Sequence, residues 1–556
     1  MKFNSNRSKL VHTLIFIPIL CMLVSCSDVI STAIQETPFH SPVEWYTFAG
    51  GTGDDTFLDS AIVPGDGIVV CSRNESAVPS VQGITPVYNR SGYEYESLLV
   101  RYRDNGSVKW CTFAGPQSST MPASILEYCS NGNLVMAANV DESCGSIQSI
   151  SPLRPYSGSN DIMISCYSDD GTLLWYTFAG SPFNDYCTHL LSFDDGGFIL
   201  GCEMEDADPI GGISPLNAHN GRRDMCLVRF DGSGNMLWYT FLGDQYHNQL
   251  VSLVHDNTGG FIAAGTVESD PGSIQGMNPV NPYTAGTDIL LARFDSNGQL
   301  SWYTFTGSSG TDSPTELHIT NNNIILSATA GEATTLQGVS PIHPYNGGSS
   351  DIMLVTLSLD GDVLNYNYFG GAGTDFASDS DIIPGEGIVL VSTSSSNIFS
   401  LHGQLPLNSY SGSSDFMVIR TSPGLELQWY TFLGGNRTDI VSRVSVTDTG
   451  NIICGGVTLG NIDALESIAP LNPFMDAKDI LLVSLHSSGH VNWFTMLGGP
   501  GTDNFGDFRK AGEGRFYITG ESYSPITELC FSTPLQEHSG NIDLFLSKLY
   551  PSNNNQ

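Results

Sequence analysis

Ten residues after a recurring aromatic position the chain places Asp55, Thr120, Asp185, Asn248, Asp312, Asp375, Asp439 and Asp503, each behind a turn-forming stretch. Six of these eight are aspartate. If the units stand around an axis, the series gathers at one face, where a ring of carboxylates could attract calcium or cationic groups. The architectural reading is the stronger one. An Asp beside a tight turn accepts hydrogen bonds from that turn's own backbone, and a residue present in nearly every unit serves the unit first. A second acidic series takes the same reading: Glu96, Asp161, Asp224, Asp288, Asp351, Asp415, Asp479 and Asp543 each open an apolar run.

Long loops carry a second set of candidates. Echoes such as Ile147-Gln148-Ser149 to Pro155-Tyr156, Ile274-Gln275-Gly276 to Pro282-Tyr283 and Leu336-Gln337-Gly338 to Pro344-Tyr345 put an aromatic at a fixed place. Tyr156, Tyr283, Tyr345, Tyr410 and Phe474 could together form an aromatic rim for a glycan or peptide, since binding residues concentrate on loops. Alternatively these rings fold back and shield the apolar edge of their own unit. No His-Glu-x-x-His, Gly-x-Ser-x-Gly, P-loop or EF-hand string occurs, so no catalytic residue, metal or cofactor is assigned.

The elements that must position these residues follow from a tetrapeptide. Trp45-Tyr46-Thr47-Phe48 returns at Trp110, Trp175, Trp238, Trp302, Trp429 and Trp493, and an eighth copy at Asn365-Tyr366-Asn367-Tyr368 keeps the register without the Trp. Successive spacings are 65, 65, 63, 64, 63, 64 and 64, and all 7 tryptophans sit at this one position. Such a period means an array or a closed ring, whatever the length of 556 residues would suggest about domain number. The stretch from Asp479 to Gly520 shows the unit: Asp479 to Leu485, a turn, Val491 to Met496, a Gly-rich loop, a third strand, a tight turn over Ala511 to Gly514, and Phe516 to Thr519. The strands are apolar at consecutive positions, so both faces of each sheet need cover. Radial stacking of four-stranded units supplies it.

The ends of the chain favour closure over an open solenoid. From each acidic opener to the next Trp position is 14 residues, as from Asp479 to Trp493, and from Asp543 the same offset falls at 557, one past the last residue. The final unit therefore lacks its Trp strand while the chain begins with a spare one at Trp45. The expected fold is an all-β, eight-bladed β-propeller of four-stranded antiparallel blades, with the Trp strand outermost and the N-terminal strand completing the last blade. Closure also removes exposed strand edges.

On Gly370-Gly371-Ala372-Gly373-Thr374-Asp375, Phe516-Tyr517-Ile518-Thr519-Gly520 and Asp543-Leu544-Phe545-Leu546-Ser547-Lys548, the units resemble the bacterial propeller repeats called SBBP repeats, from about Trp45 to about Tyr550. The resemblance implies a propeller and no common reaction. That family is usually described as seven-bladed; the count here is eight. Asp295-Ser296-Asn297-Gly298 ahead of Trp302 is similar to the Trp-docking motif of eight-bladed quinoprotein propellers, a group that includes an outer-membrane assembly lipoprotein, although these repeats are longer. The same turn departs from the sialidase Asp-box by one residue.

Composition and the N-terminus bound the setting. Hydrophobic residues at 40% with Gly 60 and Pro 28 fit a turn-rich globular protein, and a net charge of −36 argues against nucleic acid and anionic lipid as partners. Lys2, Arg7 and Lys9 precede an apolar stretch from Leu14 to Val24, too short to span a bilayer comfortably. It ends in Leu23-Val24-Ser25-Cys26, which resembles a bacterial lipobox and implies lipidation of Cys26. The expected organisation is a signal peptide over 1–25, a tether over 26–43 and one propeller over 44–556. Of the 12 cysteines, Cys71, Cys166, Cys202, Cys226 and Cys454 lie in apolar strands as small core residues, while the pairings Cys129 with Cys144 and Cys187 with Cys202 stay open.

These readings converge on a monomeric, lipid-anchored, non-catalytic scaffold of the bacterial cell envelope, at the outer membrane or cell surface, binding an envelope protein or glycan. The competing readings are a quinoprotein-like assembly lipoprotein and an enzyme acting on envelope glycans at the axial opening. An irregular cluster of His, Asp and Arg at that opening favours the enzyme; a symmetric, uncharged opening favours scaffolding.

Overall fold

Strands such as Asp479–Leu485 and Val491–Leu497 are buried along almost their whole length on both faces, and the chain covers them by stacking sheet on sheet. The computed structural model describes residues 42–550 apart from 120–122, 142–144, 207–209, 321 and 396. Eight four-stranded antiparallel sheets form, and the first strand of each touches the first strand of the next all the way round. The result is an eight-bladed β-propeller. We number the blades 1–8 from Asp55–Val63 onward. Among the described residues the only helical element is one 3-10 turn, Ile210–Gly212, and no helix is long and apolar enough to cross a membrane.

Blade 8 is built from both ends of the chain. Val43–Ala49 pairs antiparallel with Asp543–Leu549, with Trp45 opposite Lys548, Tyr46 opposite Ser547 and Phe48 opposite Phe545. Asp503–Gly512 and Arg515–Ser522 complete the sheet. The inner hairpin is tighter than the turn expected over Ala511 to Gly514: Gly512 pairs with Arg515, and only Glu513 and Gly514, both at positive φ (51° and 73°), form the loop. That is the geometry of a type I′ hairpin.

The Trp strand is the outer edge of every blade, and its job is to join blades. Six of the seven indole N–H groups donate to a backbone carbonyl in the outer turn of the following blade, among them Trp45 to Asp104 at 3.0 Å, Trp110 to Asp169 at 2.8 Å, Trp302 to Leu359 at 2.7 Å and Trp429 to Ser487 at 3.0 Å. The indole face lies on a glycine of that same turn. At Gly171 (φ +82°) a Cβ would stand 2.7 Å from Trp110 Cδ2, so only glycine fits, for conformation and for space. Tyr and Phe of the motif point the other way. Tyr303 and Tyr430, for example, are buried with their hydroxyls donating to the Gly272 and Ile398 carbonyls in their own blades' long loops.

Where the Trp is missing the partner has changed too. Asn365 keeps the link to blade 6 by donating from Nδ2 to the Gly424 carbonyl at 3.2 Å. The residue in the place of the outer-turn glycine is Leu425, a leucine held at φ +64° and fully buried in the core between blades 5 and 6. Leucine thus fills the volume that an indole occupies elsewhere.

Candidate functional site in the axial channel

The two acidic series are structural. Asp55, Asp185, Asp312, Asp375, Asp439 and Asp503 are fully buried, as is Asn248. Each accepts a hydrogen bond from a backbone N–H four residues earlier, as Asp439 does from Gly435 at 2.8 Å and Asp503 from Gly499 at 2.9 Å. Thr120 lies outside the described residues. The strand-opening series behaves alike: Asp161 accepts from Ser157 N at 2.6 Å and Asp479 from Met475 N at 2.9 Å. The two series meet across the glycine that follows the Trp strand. At Gly180 a Cβ would collide with both Asp161 Oδ1 (1.8 Å) and Asp185 Oδ2 (2.6 Å), which explains a glycine whose φ is ordinary. Burial pushes these carboxyls up, Asp161 to about 7, Asp185 to about 8 and Asp351 to about 7. Among the described residues no group of three or more His, Cys, Asp or Glu side chains converges as a metal-binding set.

The loop aromatics rest on their own blades. Tyr156, Tyr283, Tyr345 and Tyr410 stand edge-on to Phe178, Phe305, Tyr368 and Phe432, with ring centroids 5.6, 5.8, 5.7 and 5.5 Å apart. Their hydroxyls donate to nearby backbone carbonyls, Tyr283 to Glu268 at 2.8 Å and Tyr410 to Ser413 at 2.7 Å. Phe474 packs against the core between blades 6 and 7. Cys26 lies outside the described residues. Cys187 and Cys202 face each other on paired strands as free thiols, and Cys129 is likewise free, while Cys144 lies outside the described residues.

Chemistry concentrates instead on the inner strands, four residues after each member of the Asp55 series: Asp59, Ser124, His189, Ser252, Glu316, Asp379, Arg443 and Asp507. In seven blades a β-bulge falls just before this residue, for example between Pro314 and Glu316 and between Ala377 and Asp379. A bulge re-aims the side chain that follows it. Here several side chains turn across to the next blade: Asp59 Oδ2 accepts from Leu126 N at 2.8 Å, and Asp379 Oδ2 from Val444 N at 2.7 Å.

This ring is not symmetric. Charges crowd blades 5 to 8 and blade 1, whereas blades 3 and 4 contribute His189 and Ser252. Arg443 Nε donates to Asp507 Oδ1 at 3.1 Å; Arg509 Nη2 lies 2.8 Å from Asp59 Oδ1 and 2.9 Å from Asp507 Oδ2. Lys510 reaches over blade 7 to Asp381 Oδ2 at 2.7 Å. Asp381, Arg443, Asp507, Arg509 and Lys510 line a cavity of about 530 Å³. A second space of about 520 Å³, nearer the Asp-loop face, shares Val251 and Thr315 with it and is lined by Phe376, Pro314 and Ala377. Phe376 is 54% exposed, an apolar surface at the mouth.

Glu316 and Asp379 are the pair left over. Each accepts from a backbone N–H, Glu316 from Ser380 at 3.4 Å and Asp379 from Val444 at 2.7 Å, and burial followed by the neighbouring Glu316 charge pushes the Asp379 carboxyl up to about 8. Glu316 is the member open to the cavity, with its side chain 36% exposed against 7% for Asp379 as a residue. His318 Nε2 stands 2.9 Å from Ser380 Oγ and 3.6 Å from Glu316 Oε2, and burial lowers its imidazole below the ordinary histidine range. No sequence motif marks this cluster, since its members share an offset and not a residue type.

No family model and no curated protein matches the sequence. Among solved structures the chain is similar to a polysaccharide lyase of family PL25, an ulvan lyase, at 11% identity over 82% of this chain and 96% of that one, with a TM-score of 0.38. The phage phi92 endosialidase gives 11% identity over 92% and 70%, with a TM-score of 0.32. Prolyl oligopeptidase B from Galerina marginata gives 8% over 78% and 51%, with a TM-score of 0.37. At these scores the likeness carries no assignment of activity.

Proposed function

We propose that this chain is a bacterial cell-envelope propeller of the SBBP-repeat kind, exported and held by lipid on Cys26, that binds a polar, glycan-like ligand in its axial cavity without transforming it. The observation that carries the reading is the broken symmetry at one depth of the channel. A feature needed only to hold blades together would repeat around the ring, as the Trp contact does, and this cluster does not. Mixed donors and acceptors around a cavity with an apolar mouth suit a hydroxyl-rich ligand with an apolar face.

The test is capture from native envelopes by the lipidated protein, alongside a glycan array, with wild type and with Ser378→Trp, which fills the cavity. A ligand recovered by wild type and lost by Ser378→Trp supports the reading. A partner held equally by both places the function on the outer surfaces.

A second reading is favoured by the same cluster. It is irregular and rich in His, Asp and Arg, and it holds a carboxyl protonated near neutral pH, as a general acid for glycan cleavage requires. Release of reducing ends from an envelope glycan, abolished by Asp379→Asn, would replace the binding reading with this one.

A further inference from the structure

The boundary between blades 5 and 6 departs from its neighbours at more than the missing Trp. Elsewhere a side chain of one long loop hydrogen-bonds to the next loop: Asn217 Oδ1 accepts from Gln275 N at 3.0 Å, Asn472 Oδ1 from Cys530 N at 3.1 Å, and Asn408 Nδ2 donates to Glu466 Oε1 at 3.2 Å. In the same two places this boundary has His343 and His402. Their rings stack, with centroids 3.7 Å apart and planes within 8° of parallel. Gln404 bonds the outer strand of blade 6, donating from Nε2 to the Leu427 carbonyl at 3.0 Å, while His402 reaches back to blade 5 and donates from Nε2 to the Tyr368 carbonyl at 2.8 Å. A carbonyl only accepts, so Nε2 carries the hydrogen and Nδ1 of the neutral ring is a bare lone pair. That Nδ1 is buried without a hydrogen-bond partner, and so is Nδ1 of His343.

We infer that this stack is a proton-operated joint in the ring, closed while both imidazoles are neutral and parted when His402 takes up a proton. A proton on His402 Nδ1 makes a buried donor with no acceptor and sets a cation against an imidazole 3.7 Å away. Both costs vanish once the two loops separate and water reaches the nitrogen. The surroundings supply no counter-charge. On blade 5 the titratable neighbours are Tyr366, whose hydroxyl donates to the Thr334 carbonyl at 2.7 Å, and Tyr368, whose hydroxyl accepts from Thr334 N at 3.3 Å. On blade 6 the Tyr430 hydroxyl donates to the Ile398 carbonyl at 3.1 Å. Phe369, with its ring 5.1 Å from His402, and Leu425 are apolar. Ion pairs with a carboxylate are made by His318 and His490 among the described residues, and by neither ring of the stack. Burial first and His343 second lower His402 from the ordinary 6.5 to about 4, against the pull of the Tyr368 carbonyl. With the parted joint at the ordinary value, closure is favoured in full above pH 6.5 and is lost as pH falls toward 4. Asn365 stands here in place of an indole, so these loops part without unpacking a Trp.

Hydrogen exchange read by mass spectrometry on the full chain, corrected for the intrinsic rate at each pH, follows each boundary separately. Amides over 398–408 are held by bonds such as Leu407 N to the Tyr430 carbonyl. Those over 274–284, at the boundary between blades 3 and 4, have the matching bond from Val280 N to the Tyr303 carbonyl. Between pH 7 and pH 5 protection over 398–408 should fall about twentyfold relative to 274–284, as uptake of one proton at 6.5 when parted and about 4 when closed requires. Buried carboxyls respond to the same change in the opposite sense, but they stand at both boundaries, as Asp224 and Asp351 do, and the comparison between segments removes them. His343→Asn combined with His402→Gln installs the residue types of Asn217 and Gln275 and should abolish the difference in pH response while the segment stays protected at pH 7. If that variant does not fold, the wild-type difference between the two segments decides alone. An equal response of both segments, no response over 398–408, or an unchanged response in the folded double variant overturns the joint.

Discussion

Asn365 and Leu425 make a double-mutant cycle that the ring itself has set up. Elsewhere an indole lies on an outer-turn glycine, as Trp302 lies on Gly361, where a Cβ would come within 3.0 Å of the ring. Between blades 5 and 6 both members differ. Asn365→Trp alone drives an indole into the volume of Leu425, and overpacking of this kind costs ~1–3 kcal/mol. Leu425→Gly alone empties a buried leucine site, for which truncation costs ~2–5 kcal/mol, while relief of a left-handed leucine returns ~1–2 kcal/mol. If the two sites were independent, the double variant would lose the sum. If the indole–glycine contact is what they replaced, the double variant rebuilds it and returns to within about 1 kcal/mol of wild type, a coupling of ~2–3 kcal/mol in magnitude. Urea unfolding of the four proteins at constant m measures this. Additive losses would refute the argument that Leu425 fills the missing indole's place.

Three further outcomes follow from the same contacts. Trp302→Ala, at a residue 6% exposed and bonded to the Leu359 carbonyl at 2.7 Å, should cost ~3–5 kcal/mol, and a loss below about 1 kcal/mol in urea unfolding would show that the indole is not a packed joint. Asp55, Asp161, Asp288 and Asp479 are pushed up to about 7 by burial, so they favour the folded state fully below the ordinary carboxylate value of 3.8 and lose that contribution as pH rises toward 7. The melting temperature should therefore fall from pH 5 to pH 8, and a rise over that interval contradicts the burial argument. Gly180→Ala should unfold the protein at lower urea, because its Cβ meets two carboxylates, whereas Gly83→Ala, with nothing within 4 Å but a positive φ of 78°, should show only the smaller backbone cost.

The propeller was legible because its signals repeat. The Trp period, the acidic openers and the offset that overruns at 557 are each stated eight times or nearly so, and the N-terminal strand sits where that arithmetic required. The Asp series was also legible as turn chemistry, since Asp439 and Asp503 do accept from their own turns. The axial cluster was not. Asp59, His189, Glu316, Asp379 and Arg443 share a register and nothing else, and a chain read for repetition discards what varies. A fixed-offset column that stays polar while changing identity, four residues after the turn-capping Asp, was the available signal. Leu425 was hidden for a related reason: it explains an absence at Asn365 that only the neighbouring blade can account for.

The seam in blade 8 gives this ring a beginning and an end that must find each other. Every other blade is contiguous in sequence, so its sheet can form as soon as its own residues are available. Val43–Ala49 must wait for Asp543–Leu549. A growing chain with seven finished sheets is thus an arc with a bare strand waiting at one tip, competent to add a sheet from another copy. Assembly without cross-pairing depends on how long that arc stays open, and the interval is set by the arrival of its last fifty residues.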